Sequence, residues 1–320
     1  MKFGINTSAR GTMSTRQAYM TIAQLAERVG FDFLSISDHV VVPRSIESEY
    51  PYSEGGKWDT AIPSGFCLEQ LATICFLAGC TEKLQLLTSV MVVPHRPAVL
   101  TAKLLATADV LSNGRVLAGI GAGWLREEFE ALQTAPYDQR GKVTDEYIES
   151  FKELWAKDAP SYQGEHVKFD KILFAPKPDN GASIPIWVGG ESNPAMRRTA
   201  KLGDVWYPGS RNPKNRLDTP ERLAGSIARL RKITETQGRD PDEVEVAFVL
   251  FTPVEWSPQA GHDTARRLMT GTAEQMAEDV QALADVGVKH FNLTFPSGSV
   301  AEMSDAIEKF SDRVMPLVKS

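Results

Sequence analysis

Short apolar, β-branched runs alternate with helical stretches along the whole chain, and the alternation repeats eight times. Strands are expected at Lys2–Asn6, Phe33–Ser37, Leu84–Val90, Val116–Gly121, Ile184–Gly189, Asp204–Pro208, Val244–Thr252 and His290–Phe295. Helices are expected at about Thr15–Val29, Phe66–Gly79, Ala98–Leu111, Asp145–Ala156, Pro194–Leu202, Pro220–Thr236, Ala273–Asp285 and Val300–Val318. A strand followed by a helix, eight times over, closes most simply as a single (β/α)8 TIM barrel. An open doubly wound sheet uses the same units, and pattern alone does not show closure. The 320 residues suit one barrel domain over 1–320 with insertions at about 40–65 and 162–183, expected at the C-terminal face as lids over a site. The second insertion carries a hairpin signal, Tyr162 to Phe169 around Gly164.

A barrel builds its site from the carboxyl ends of its strands. Strand two ends in Ser37-Asp38-His39, strand three in Thr88-Ser89-Val90, strand four in Gly119-Ile120-Gly121-Ala122-Gly123-Trp124, and strand five in Gly189-Gly190-Glu191-Ser192-Asn193-Pro194. Gly189 and Gly190 permit close backbone approach. Ser192 or Asn193 can cap the helix begun near Pro194, whose amino end would seat an anion such as a cofactor phosphate. A tight βα turn explains the same glycines. Gly121 and Gly123 would let a flat ring lie against backbone with Trp124 at its border, or would simply make room for neighbouring bulk. The spacing of Gly119, Gly121 and Gly123 lacks the later glycine and the acidic residue of a dinucleotide fingerprint. His39 beside Asp38 suits proton transfer or hydrogen bonding to a heterocycle, a backbone-bonded structural histidine being the plain alternative. Asn6 offers a polar contact at the end of strand one.

Composition removes several classes. A net charge of −6 with dispersed basic residues argues against nucleic acid. No apolar run is long enough to cross a bilayer, and the opening MKFGINTSAR reads as a strand rather than a secretory signal, so no membrane contact and a cytoplasmic location are expected. Cys67, Cys75 and Cys80 form no CxxC pair, and the scattered histidines supply no further ligands around Asp38 and His39, so no metal is expected. No nucleophile elbow or P-loop is present.

Taken together, Ser37-Asp38-His39, Leu87-Thr88-Ser89-Val90, Arg115 to Trp124 running into Glu128-Phe129-Glu130-Ala131-Leu132, Pro176-Lys177-Pro178, Pro185 to Gly190 and Arg197 to Trp206 resemble the luciferase-like monooxygenase superfamily, especially its branch of coenzyme F420-dependent oxidoreductases. The resemblance spans nearly the whole chain. It implies a barrel carrying F420 or reduced flavin mononucleotide (FMN), with the ring across the strand ends and the phosphate near Gly190, Glu191 and Ser192. It further implies Asp38 and His39 beside the ring, and a cis peptide at Ser89-Val90 forming a bulge behind it. Where F420-using glucose-6-phosphate dehydrogenases carry a tryptophan after the histidine and a later glutamate, this chain has Val40 to Pro43 and Trp124. Where bacterial luciferases carry cysteine and arginine it has Gly121 and Ala122. Sugar-phosphate oxidation and light emission are therefore not carried over.

The expected function is oxidoreduction of a small organic substrate, with F420-dependent hydride transfer slightly favoured over an FMNH2-dependent monooxygenase using O2. The catalytic residues would be His39 for proton transfer and Asp38 to orient it. A separate reductase supplying reduced cofactor and a homodimer are the implied partners. A non-catalytic flavin-binding protein and a metal-dependent barrel hydrolase are the rivals from other classes.

Overall fold

In the computed structural model, which describes residues 1–11, 13–58, 64–179, 181, 183–262 and 265–318, eight parallel strands form a closed ring. They are β1 (Lys2–Thr7), β2 (Phe33–Ile36), β3 (Gln85–Thr88), β4 (Val116–Gly121), β5 (Ile186–Gly189), β6 (Val205–Tyr207), β7 (Glu245–Pro253) and β8 (Val288–Thr294). Each pairs with the next, and β8 returns to β1 with Lys2 opposite His290 and Asn6 opposite Thr294. That closure excludes the open doubly wound sheet. Among the described residues the surrounding helices are α1 (Arg16–Arg28), α2 (Gln70–Ala78), α3 (Ala98–Leu111), α4 (Arg126–Leu132), α5 (Arg140–Ala156), α6 (Asn193–Leu202), α7 (Pro220–Thr236), α8 (Ala273–Asp285) and α9 (Val300–Arg313).

Local chemistry sets these boundaries. Thr15, Ser192, Thr219, Thr272 and Ser299 each cap a helix by accepting a backbone N–H, and Thr272 with Gln275 completes a reciprocal capping box. The expected αβ turns are present, with Gly30, Gly114 and Gly287 all at positive φ. Side chains alternate across the strands, so Phe3, Ile5, Leu34, Ile36, Phe291 and Leu293 join the layer beneath the helices. The barrel interior is filled by Phe33, Leu87, Leu117, Trp187, Val205, Tyr207, Ala247 and Val249.

Two expectations change. The strand expected over Leu84–Val90 ends at Thr88; the Ser89–Val90 peptide is cis, and Met91–Val92 then pairs with Ile120 and Gly121 of β4. The stretch 162–183 contains the expected hairpin, Tyr162–Gln163 against Lys168–Phe169. It joins the end of α5 to the start of β5, however, and so leaves and re-enters the barrel at the amino-terminal face, opposite any strand-end site. The Glu146 carboxylate accepts N–H bonds from Glu165, His166 and Val167 and ties the hairpin along α5. It is therefore no lid. The 40–65 insertion does follow a strand end; its residues 59–63 lie outside the described residues, as do 180 and 182 of the second insertion.

Candidate active site at the strand ends

Strand β2 delivers Asp38 and His39 to the barrel mouth, and the two side chains part company there. The Asp38 carboxylate accepts from Arg96 Nη1 (2.9 Å) and Nη2 (2.8 Å) and from the Val92 amide (2.9 Å), with no exposed side-chain surface. Arg96 also donates to Glu69. Burial pushes the Asp38 carboxyl up, but the Arg96 charge and its hydrogen bonds outweigh that and hold it below the usual carboxylate range. Asp38 thus braces the segment after the cis peptide. Its oxygens are spent on Arg96 and Val92, which corrects its expected places against a ring and as the group orienting His39.

His39 is oriented by Glu128, the third residue of α4. Nδ1 lies 2.8 Å from Glu128 Oε2, while Oε1 accepts from the amides of Val40 (2.7 Å) and Val41 (3.1 Å). The Glu128 side chain is wholly buried. Neither this helix nor its glutamates were read from the sequence as site elements, although Leu125, Phe129 and Leu132 have helical spacing and Glu127-Glu128 suit a first turn. Glu127 performs the same service farther along, its carboxylate accepting from the amides of Glu47 (2.6 Å) and Ser48 (3.0 Å) and the Ser48 hydroxyl (2.7 Å).

These anchors lay the segment after β2 over the mouth as an aromatic wall. The His39 ring lies 4.5 Å from Trp58 and 6.5 Å from Trp124; Tyr50 lies 5.1 Å from Trp124, and Tyr52 lies 5.0 Å from Phe251 of β7. The Arg10 guanidinium sits over Trp58 at 4.3 Å. Trp124 packs against Tyr50 and Trp58 in this wall.

Below the wall the barrel interior turns polar. Asn6 donates to Thr294 Oγ1 (3.0 Å) and accepts from Ser35 (3.2 Å), and Asn292 donates to Ser35 (2.8 Å) and to the Tyr207 hydroxyl (2.5 Å). Tyr207 and Ser89 hydroxyls are 2.9 Å apart. Burial pushes the Tyr207 phenol up to about 12 against the opposing bonds from Ser89 and Asn292, so it stays a neutral hydroxyl at neutral pH. This cluster joins Asn6 and Ser89 to Ser35, Tyr207 and Asn292, which were not read from the sequence because inward-facing polar residues inside a strand carry no local signal.

Val90 lies across the ends of β4 and β5. A side chain on Gly121 would meet Val90 at 2.7 Å, one on Gly189 would meet it at 2.9 Å, and one on Gly123 would meet Phe129 and Val92 at 2.7 Å. On their Cβ side Gly121 and Gly123 make room for protein side chains. Gly190, at φ +104°, turns the chain into α6; Ser192 Oγ accepts from Ala195 N (3.3 Å), and Pro194 has no amide hydrogen. The amide of Asn193 and those of the preceding turn are the donors this helix start offers. The Glu191 carboxylate points elsewhere, accepting from Gly209 N (2.7 Å) and Asn212 Nδ2 (2.8 Å), and burial pushes its pKa up. The Glu191 side chain is thus committed to Gly209 and Asn212.

Residues 1–310 match the family described as luciferase-like monooxygenase. The chain belongs to this luciferase-like family. An uncharacterised protein of Mycobacterium tuberculosis is 32% identical over 71% of this chain and 75% of its own length. An FMNH2-dependent dimethylsulfone monooxygenase of Pseudomonas fluorescens is 26% identical over 93% of this chain and 86% of its own. Among solved structures, the coenzyme F420-dependent tetrahydromethanopterin reductase of Methanopyrus kandleri superposes with a TM-score of 0.76 at 15% identity, covering 99% of both chains. The luciferase-like assignment makes this chain an oxidoreductase and the strand-end mouth its candidate active site. Among the described residues, Glu146, Glu165 and His166 are the one group with metal-compatible spacing; they lie where the hairpin packs on α5, and the Glu146 oxygens already serve that hairpin's amides.

Proposed function

We propose that this luciferase-like oxidoreductase binds F420 or FMN across its strand ends, with F420-dependent hydride exchange with a small organic substrate as the favoured chemistry. The observation that carries the reading is the mouth itself: an oriented imidazole, His39, set in a wall of Trp58, Trp124 and Tyr50 above the hydroxyl and amide groups of Asn6, Ser35, Tyr207 and Asn292. The residues present fit such a cofactor. The aromatic faces suit a flat ring, the Ser89–Tyr207 pair suits its heteroatom edge, and the turn through Gly190 and Ser192 offers amides to a phosphate.

When bound, the ring supplies hydride exchange as F420, or oxygen activation as reduced flavin. His39 takes or gives the accompanying proton at Nε2, since Nδ1 is engaged by Glu128. Asp38 holds the Met91–Val92 segment through Val92 and Arg96, and the aromatic wall excludes water from the mouth. The FMNH2-dependent reading draws support from the dimethylsulfone monooxygenase relative, and it would require a separate reductase to supply reduced flavin. We also propose a homodimer, on the apolar outward face of α3 described below.

Replacing His39 by Ala tests the assignment. Turnover is expected to fall about 10²- to 10⁴-fold, the usual worth of a positioned acid or base, with cofactor affinity retained. Unchanged turnover would remove His39 from the reaction.

A further inference from the structure

We infer that Glu128 is a positioning residue that fixes the tautomer of His39, keeping the proton on Nδ1 and the lone pair on Nε2. This deepens the proposed function and rests on it only for the consequence in turnover. The hydrogen-bond inventory around Glu128 carries the inference. Its Oε1 faces two donors, the amides of Val40 at 2.7 Å and Val41 at 3.1 Å, which can only give protons. Its Oε2 lies 2.8 Å from His39 Nδ1, and the side chain has no exposed surface from which water could compete. An ionised carboxylate satisfies all three neighbours only if Nδ1 bears a hydrogen, since a bare Nδ1 would set a lone pair against an anionic oxygen.

The remaining neighbours leave that arrangement intact. His95 Nδ1 is 3.9 Å from Glu128 Oε1, beyond hydrogen-bond reach, and burial keeps that imidazole neutral. The Arg10 guanidinium, seated over Trp58, interacts with Glu128 through its charge and favours the carboxylate form, while Arg96 is engaged by Asp38 and Glu69. Asp38, adjacent in sequence, is thereby excluded as the orienting group, and the task passes to a residue 89 positions away. The His39 ring is further held by Trp58 at 4.5 Å, so its plane and its tautomer are set from different sides.

Glu128→Gln provides a test with a definite sign, because a carboxamide has the shape of a carboxylate but only one acceptor atom. If its oxygen stays with the Val40 and Val41 amides, its NH2 faces His39 and must donate to Nδ1, which moves the ring hydrogen to Nε2. Nitrogen NMR of the full chain labelled in histidine reads this directly, and His39→Gln identifies the His39 signals among the five histidines. At a pH where His39 is neutral, we expect the wild type to show a protonated Nδ1 and an unprotonated Nε2, and Glu128→Gln to show the reverse. A wild type with the hydrogen on Nε2 overturns the inference even if the variant does not fold. So does a folded variant with the wild-type tautomer.

Turnover then separates this inference from the reading beneath it. A reversed tautomer with turnover reduced about 10²- to 10⁴-fold and cofactor affinity unchanged supports both. A reversed tautomer with unchanged turnover supports Glu128 as the group that sets the ring, and it is the role of His39 in the reaction that fails.

Discussion

Asp38 and His39 are neighbours in sequence with 4% and 9% of their surface exposed, yet one is engaged by Arg96 and the other by Glu128. The sequence supports reading them as a pair, because a carboxylate beside a histidine is a common proton-transfer arrangement. Their separation depends on Arg96 and Glu128, 58 and 89 residues away, which no local pattern links to them. We expect Asp38→Asn to destabilise the protein by about 1–3 kcal/mol in urea unfolding, since it breaks a buried ion pair and leaves Arg96 with Glu69 as its remaining carboxylate. A loss below about 1 kcal/mol, the level of an exposed pair, would contradict that role. His95 supplies a pH test: it is buried, neither ring nitrogen has a partner among the described residues, and burial pushes its pKa down. The unfolded chain then binds a proton that the folded chain resists. Stability from this group is complete above the unfolded value near 6.5 and is lost as pH falls toward the folded value, at up to about 1.4 kcal/mol per pH unit. His95→Phe should flatten the change in unfolding free energy measured between neutral pH and about pH 5.5.

The elements whose period dominates their neighbourhood were legible. All eight strands and eight of the helices lie within a few residues of where periodicity puts them, α5 beginning at Arg140 instead of Asp145. Short α4 was missed because seven residues hold too few turns for a clear period, and its importance is in what its first turn grips. Glu127 is half-buried and acts locally on the backbone of Glu47 and Ser48. Glu127→Ala is accordingly expected to speed amide hydrogen exchange at those two residues and raise the substrate KM, while the unfolding midpoint stays near wild type. Unaltered exchange would show that the segment is held by its aromatic packing alone. The 162–183 stretch was placed on the wrong face because length and a hairpin signal identify an insertion without identifying its side; the following β5 fixes the side.

Closure of the ring follows from pairing between the first and last strands, Lys2 with His290, a contact that spans almost the whole chain and leaves no trace in local pattern. Sequence supplied the unit and its count, and geometry supplied the circle. The outside of the molecule carries a further expectation. Val99 and Val110, like Leu100 and Leu111, are three helical turns apart on α3 and so share one face, with Leu100 and Leu111 51% and 60% exposed. A second copy of the chain would cover that face. Analytical ultracentrifugation should show a dimer that Leu100→Glu with Leu111→Glu converts to a folded monomer, and a monomeric wild type would count against it.

A ring-shaped cofactor at the aromatic mouth is the claim on which the functional reading depends. The measurement that tests it most directly is titration of the purified apo-protein with oxidised F420 and, separately, with FMN, following the cofactor's visible absorbance and the tryptophan emission dominated at the mouth by Trp58 and Trp124. We expect saturable F420 binding with a shifted visible band and quenched emission, the quenching diminished in Trp58→Phe and Trp124→Phe. Preferential FMN binding would keep the site and transfer the chemistry to oxygen activation, whereas binding of neither cofactor would contradict the assignment.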